Sequence, residues 1–321
     1  MAGLGKGDRA MTKKTEQRSD VYQRVTAQII EQLEKGVRPW FQPWGAGGTP
    51  VRPLRHNGVP YRGINTVLLW MQATEKGYAS PFWMTYKQAQ ELGGQVRKGE
   101  RACLVVYAGA IEKTEQDEDG NELERRIPFM KGYSVFNADQ IEGLPQHFYV
   151  KAEPQGEPKE RLAHADAFFA NLGADIREGG NSAFYQITED FIQMPPFDAF
   201  VSAEAHACTL AHECVHWTRH PSRLNRDLGR KQWGDEGYAR EELVAELGSV
   251  FLAADLGLAP DPRDDHAAYI ASWLKVLKDD KRAIFQAASH AEKAVGYMHS
   301  LQPEASAETD LEDDIEERAA A

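Results

Sequence analysis

The chain has 321 residues, enough for two domains, and 42% hydrophobic with 10% aromatic content excludes a wholly disordered protein. Its formal net charge of −12 argues at first against a nucleic-acid partner, yet the charge is divided. Residues 1–110 hold 16 Lys and Arg against 8 Asp and Glu, a net of +8; the rest hold 21 against 41, a net of −20. Such asymmetry points to a basic, anion-binding module joined to a different one. The cysteines, Cys103, Cys208 and Cys214, lack CxxC spacing and suit a reduced compartment. No apolar run approaches the ~18 residues of a membrane span, and no secretory h-region is visible. The expectation is a soluble cytoplasmic protein with no membrane partner.

Residues 1–19 read as a disordered basic leader. Val21, Val25, Ile29 and Leu33 recur at helical spacing, with Asp20 as N-cap and Gly36 as stop. A Pro/Trp/Gly stretch from Pro39 to Pro53 is too aromatic for a linker. Asn65 or Thr66 caps a short helix ending near Gly77, and Phe82 to Tyr86 is a strand entering a helix that stops at Gly93-Gly94. Ala102 to Ala110 reads as a buried strand, Asp117 to Asn121 as a turn, and Phe129 to Phe136 as the partner strand. These elements make an N-terminal α+β domain at 20–150. Residues 151–160, polar with two prolines, read as a linker.

Beyond it, Leu162 to Leu172 is helical, Ala183 to Ile187 and Phe191 to Met194 are strands, and helices follow at roughly 199–219, 236–256, 263–277 and 280–299. The second domain is therefore mainly helical, at 161–300, and the fold class is α+β. Residues 301–321 form an acidic tail expected to be disordered.

The run His212-Glu213-Cys214-Val215-His216 is an H-E-x-x-H, the zincin signature. On a helix, residues four apart share a face, so both imidazoles can hold one zinc ion, Zn2+. Glu213 between them is the candidate general base for water attacking a peptide carbonyl. A catalytic zinc needs a third protein ligand. On the helix-forming run 241–246, Glu242 is the expected ligand and Glu246 its outer support for a histidine, with Glu241 and Glu246 both open as the ligand instead. His206, His220 and His266 are weaker candidates.

The basic half interleaves cations and rings. Trp40, Trp44, Arg52, Arg55, Arg62, Lys87, Arg97 and Lys98 are candidate contacts to single-stranded DNA, since cations meet phosphates and unpaired bases stack on aromatic faces. Trp70 and Trp83, in apolar surroundings, are expected in the core. No helix-turn-helix, zinc-finger or RRM pattern occurs, which disfavours sequence reading of duplex DNA.

The strings P-Y-R-G-I-N-T (60–66), S-P-F-W-M-T-Y-K-Q-A (80–89), G-G-Q-V-R-K-G-E (93–100) and G-Y-S-V-F-N-A-D-Q-I-E-G-L-P (132–145) resemble ArdC-type antirestriction proteins, whose N-terminal module also occurs in certain plasmid primases. H-E-C-V-H-W-T (212–218), S-R-L-N-R (222–226) and Y-A-R-E-E-L-V-A-E-L (238–247) are similar to the zincin-like metallopeptidase domain of that family. The resemblance, over residues 20–300, implies single-stranded DNA binding by the first domain, protection of incoming conjugative plasmid DNA from host restriction, and a zinc-dependent peptidase acting on an unidentified protein. The competing expectation is a pure single-stranded DNA-binding protein with a structural zinc. A DNA mimic built on the acidic half ranks behind both, because its acids fall in helix patterns and a tail.

Overall fold

A computed structural model describes residues 20–40, 51–116, 122–149, 158–229, 234–259 and 266–303. Trp44, the leader, the 117–121 turn and the tail beyond residue 303 lie outside them.

Helix α1 (Val21–Glu34) starts where Asp20 accepts the Tyr22 amide, and it buries Val25, Ile29 and Leu33 on one face. Helix α2 (Ile64–Lys76) ends on the left-handed Gly77. Neither expected residue caps its start. Gly63 is the N-cap, while the Asn65 amide both donates to and accepts from the Val106 backbone at 2.8 Å. The Asn65 side chain therefore serves as a splice to a strand.

Strands β1 (Leu54–Arg55), β2 (Phe82–Met84), β4 (Cys103–Gln116) and β5 (Glu122–Asn137) form a sheet in the order β1-β2-β5-β4. β4 and β5 pair antiparallel from Cys103↔Val135 to Gln116↔Glu122, longer than the alternation alone predicts. Helix α3 (Tyr86–Glu91) opens with a Thr85–Gln88 capping box, and β3 (Gln95–Val96) pairs with β6 (Ile141–Glu142).

Helix α4 (Pro158–Asn171) takes in the last residues of the expected linker. A three-stranded sheet follows in the order β7-β9-β8, from β7 (Asp175–Glu178), β8 (Phe184–Gln186) and β9 (Phe191–Met194). Helices α5 (Ala203–Trp217), α6 (Glu236–Leu256), α7 (His266–Asp279) and α8 (Ala283–Ser300) complete the chain. Residues 301–302, expected in the tail, close α8: the Gln302 amide donates to the Met298 and Phe168 carbonyls.

The largest core ignores the expected boundary. Val25, Ile29 and Leu33 of α1, with Trp40 and with Val67, Leu68 and Trp70 of α2, belong to one cluster with Phe251, Trp273 and Ile284 of the helical half. Two smaller clusters stay within the N-terminal half, one around Leu69, Trp83 and Val135, the other around Met84, Ile141 and Phe148. Trp70 and Trp83 are both about 1% exposed, as their surroundings predict.

Candidate metal centre

Helix α5 carries the H-E-x-x-H, and its N-terminus is fixed by Ser202 accepting the Ala205 amide at 3.0 Å. Helix α6 packs against it at Gly248, where an added Cβ would stand 2.7 Å from Val215 Cγ2. Only a glycine lets the two backbones approach so closely, and that approach delivers the α6 carboxylates to the α5 imidazoles.

His212 Nε2 lies 3.5 Å from one Glu242 oxygen, and His216 Nε2 lies 3.5 Å from the other. One donor atom from each of the three buried residues falls within 4.8 Å of the others. Donors around a tetrahedral ion at about 2.0–2.1 Å lie roughly 3.3–3.4 Å apart, close to the two separations of 3.5 Å between the imidazoles and Glu242. Two imidazole nitrogens and a carboxylate are also a donor set suited to a divalent transition metal.

The support for His216 comes from Glu241, not from Glu246 as the helix pattern suggests. His216 Nδ1 is 3.1 Å from Glu241 Oε1, which fixes the ring and leaves Nε2 facing the centre. Glu241 is in turn gripped by Arg226, with Nη2 to Oε1 at 2.7 Å and Nε to Oε2 at 2.9 Å. Arg226 also donates to the Val215 carbonyl and the Thr218 hydroxyl, so it is anchored to the end of α5. Glu246 faces elsewhere: Arg38 Nη1 donates to it at 2.6 Å and Trp40 Nε1 at 3.3 Å.

Burial disfavours a charged His216, but Glu242 and Glu241 outweigh it and raise its pKa. Burial likewise opposes the Glu242 carboxylate, and His216 and His212 pull its pKa down despite this. A divalent cation would compete with protons for the same lone pairs. Glu213 is 5% exposed and has no ion pair among the described residues, leaving its carboxylate uncommitted beside the ligands. Tyr238, one turn before Glu242 on α6, pairs its hydroxyl with that of Tyr269 at 3.2 Å, and burial foremost raises its pKa.

A second arginine of the 222–226 run fixes the small sheet. Arg223 donates to Asp190 with both Nη atoms, to the Tyr185 hydroxyl at 3.1 Å and to the Trp217 carbonyl at 2.7 Å. This ties β8 and β9 to the last turn of α5. Neither arginine was picked out by sequence spacing; the signal was only their presence in the S-R-L-N-R string.

The other histidine candidates lie elsewhere. His220 Nδ1 pairs with the Ser222 hydroxyl, His206 is wedged between Phe197 and Phe200, and His266 begins α7. The expected DNA contacts divide. Trp40 is fully buried, edge-on to Trp273 at 5.6 Å, and cannot present a stacking face. Arg52 is 7% exposed and spent on Asp255 and Glu292. Both were misread because the fold buries them between the halves. Arg55 lies over Tyr61, partly covered, whereas Arg62, Lys87, Arg97 and Lys98 are exposed. Among the described residues of this stretch the exposed ring is Tyr86, 43% exposed, which the sequence did not single out.

No helix among the described residues is long and apolar enough to cross a membrane. The family model for zincin-like metallopeptidases matches residues 163–290, and the model for the N-terminal domain of the anti-restriction factor ArdC matches residues 19–136. The uncharacterized protein y4eC of Sinorhizobium fredii is 43% identical over 297 residues, covering 89% of this chain and 94% of that one. The DNA primase TraC of Escherichia coli is 40% identical over 302 residues, 88% of this chain but 27% of the primase. The crystal structure of the antirestriction protein ArdC from plasmid R388 in its metal-free form superposes with a TM-score of 0.74 at 49% identity, covering 88% of this chain and 97% of that chain. Its Mn(II)-bound form gives 0.73 at 48% identity, covering 88% and 98%. With both halves matched in order and a solved relative similar along almost its whole length, the chain belongs to the ArdC antirestriction family.

Proposed function

We propose that the protein is an antirestriction factor that binds single-stranded DNA through residues 20–150 and hydrolyses peptide bonds at a zinc centre in residues 161–300, protecting plasmid DNA entering the cytoplasm of a recipient cell during conjugation. The observation that carries the hydrolytic reading is the convergence of His212, His216 and Glu242 with an uncommitted Glu213 beside them. The ion, once bound, supplies the Lewis acidity that makes water a nucleophile at neutral pH. Glu213 takes a proton from the attacking water and passes it to the leaving amine. Glu241 and Arg226 hold the His216 ring in place throughout. The donor set favours zinc, and it also accepts manganese, the ion in one related structure.

The DNA reading rests on the exposed Arg62, Lys87, Arg97 and Lys98 with Tyr86, all within residues 1–110, whose net charge is +8. Trp44, another expected contact, lies outside the described residues.

The test is metal content with proteolysis of an unfolded protein such as casein. Wild type should hold about one zinc per chain and cleave. His216→Ala and Glu242→Ala should lose both, and Glu213→Gln should keep the metal while cleavage falls by two orders of magnitude or more, ~10²–10⁴-fold. Metal held by a wild type that cleaves nothing would make the ion structural and leave DNA binding as the function.

A further inference from the structure

A cleft of about 670 Å³ opens between the two halves, with Tyr22 of α1, the start of α2 and strands β4 and β5 on one side and α8 on the other. Its walls are cationic on both sides. Arg62 is 69% exposed on the α2 side, with its Nε 4.0 Å from Glu292, and opposite it Arg282, the N-cap of α8, and Lys293 within that helix are exposed. The one carboxylate among the lining residues, Glu292, is engaged: it accepts from Arg52 Nη1 at 3.1 Å and from the Gly63 amide at 3.0 Å. Three cations thus stand against one engaged anion, and two of them, Arg282 and Lys293, lie on a stretch of chain whose net charge is −20.

Arg282, Gln286, Ser289 and Lys293 follow helical spacing, so α8 turns one polar face into the cleft. Arg282 and Lys293 are about 16 Å apart along the axis at 1.5 Å per residue. One small anion cannot reach both, whereas successive phosphates of a polymer can. Between them the cleft is floored by Ile64, Val106, Met130 and Phe285, with the Arg282 guanidinium 5.2 Å over the Tyr22 ring. Apolar and aromatic surface between cations suits unpaired bases, which a duplex keeps hidden. Burial foremost, with Arg226 and Lys293, lowers the pKa of His290, so its imidazole is neutral at neutral pH and can meet a base edge.

We infer that this cleft is part of the single-strand path, with α8 of the helical half supplying Arg282 and Lys293 opposite Arg62. The inference rests on the DNA-binding reading and extends it to the helical half.

The experiment is fluorescence polarisation of the full chain with a labelled oligothymidylate, longer than the ~4–16 nucleotides of a typical single-strand site, across a salt series. The variants are Arg282→Glu with Lys293→Glu, Arg62→Glu, and a control double reversal at exposed Arg24 and Lys275, neither of which lines the cleft. Each lost phosphate contact removes about 0.7 from the slope of log K against log salt on single strands. The α8 double variant should bind at least tenfold more weakly, with a slope reduced by about 1.4, and Arg62→Glu should weaken binding too. The control should change neither value comparably. Loss and slope equal to the control's, in a wild type that binds tightly, would overturn the cleft and leave the DNA reading standing. A wild type that binds no oligothymidylate would overturn both. Displacement of the oligonucleotide by polyglutamate at equal charge would overturn the inference in favour of an acidic protein.

Discussion

Glu241, Glu242 and Glu246 are three buried acids on one helix, and each meets cationic or imidazole groups from a different segment. Arg226 takes Glu241, His212 and His216 take Glu242, and Arg38 takes Glu246. Removing one partner of a buried pair strands the other, at about 3–5 kcal/mol. Arg226→Leu should therefore lower unfolding free energy by about that amount, read from urea melts, and weaken metal binding about 10–100-fold by releasing His216. A melt within ~1 kcal/mol of wild type, the range of an exposed pair, would refute this role. The H-E-x-x-H was legible because a regular helix fixes the spacing of its residues. Which of three nearby glutamates supports a histidine was not, since it depends on an arginine 15 residues away in sequence. Trp40 was misread for a related reason: flanking Pro and Gly suggest exposure, and only Trp273, from another helix, shows the ring has a socket.

At the scale of elements, the centre depends on how closely α5 and α6 approach. Gly248→Ala should cost about 1–3 kcal/mol as overpacking and lower metal affinity, because Val215 must yield or the helices must part. Adding Val215→Ala should recover much of both losses in thermal melts with and without metal. No recovery would mean that the glycine matters for some reason other than space. Helix limits were largely readable, as at Asp20 and Gly77, because caps are local chemistry. Strand β7 was not, since all four residues of Asp175–Glu178 are exposed and carry no buried alternation. Its place comes from parallel pairing with β9, which no local pattern encodes.

Over the whole molecule, Arg52 joins the halves, gripping Asp255 at 2.7 and 3.0 Å while lying 4.6 Å over the Phe251 ring. Burial alone would raise the Asp255 pKa, but His299 and Arg52 outweigh it and hold the carboxyl below its usual range. A depressed folded pKa gives stability that is present above the unfolded value of about 3.9 and lost as pH falls through the folded one. Asp255→Asn should thus be less stable than wild type at neutral pH, yet lose less of its urea midpoint as pH drops below about 4. Equal pH slopes would remove Asp255 from the account. Heating should give a single cooperative transition by near- and far-ultraviolet circular dichroism together, because one core serves both halves. Two separated transitions would contradict it.

That shared core bears on how such a gene can be rearranged. Cutting the chain between its halves would leave the face around Trp273 and Phe251 open on one piece and Val25, Ile29, Leu33 and Trp40 bare on the other. Each fragment would carry a hydrophobic wound and tend to aggregate. Recombination that exchanges only one half is therefore penalised before any activity is selected, and the pair should move between genomes as an undivided cassette. The primase TraC fits this, since its region of similarity takes in 88% of this chain within 27% of a much longer protein.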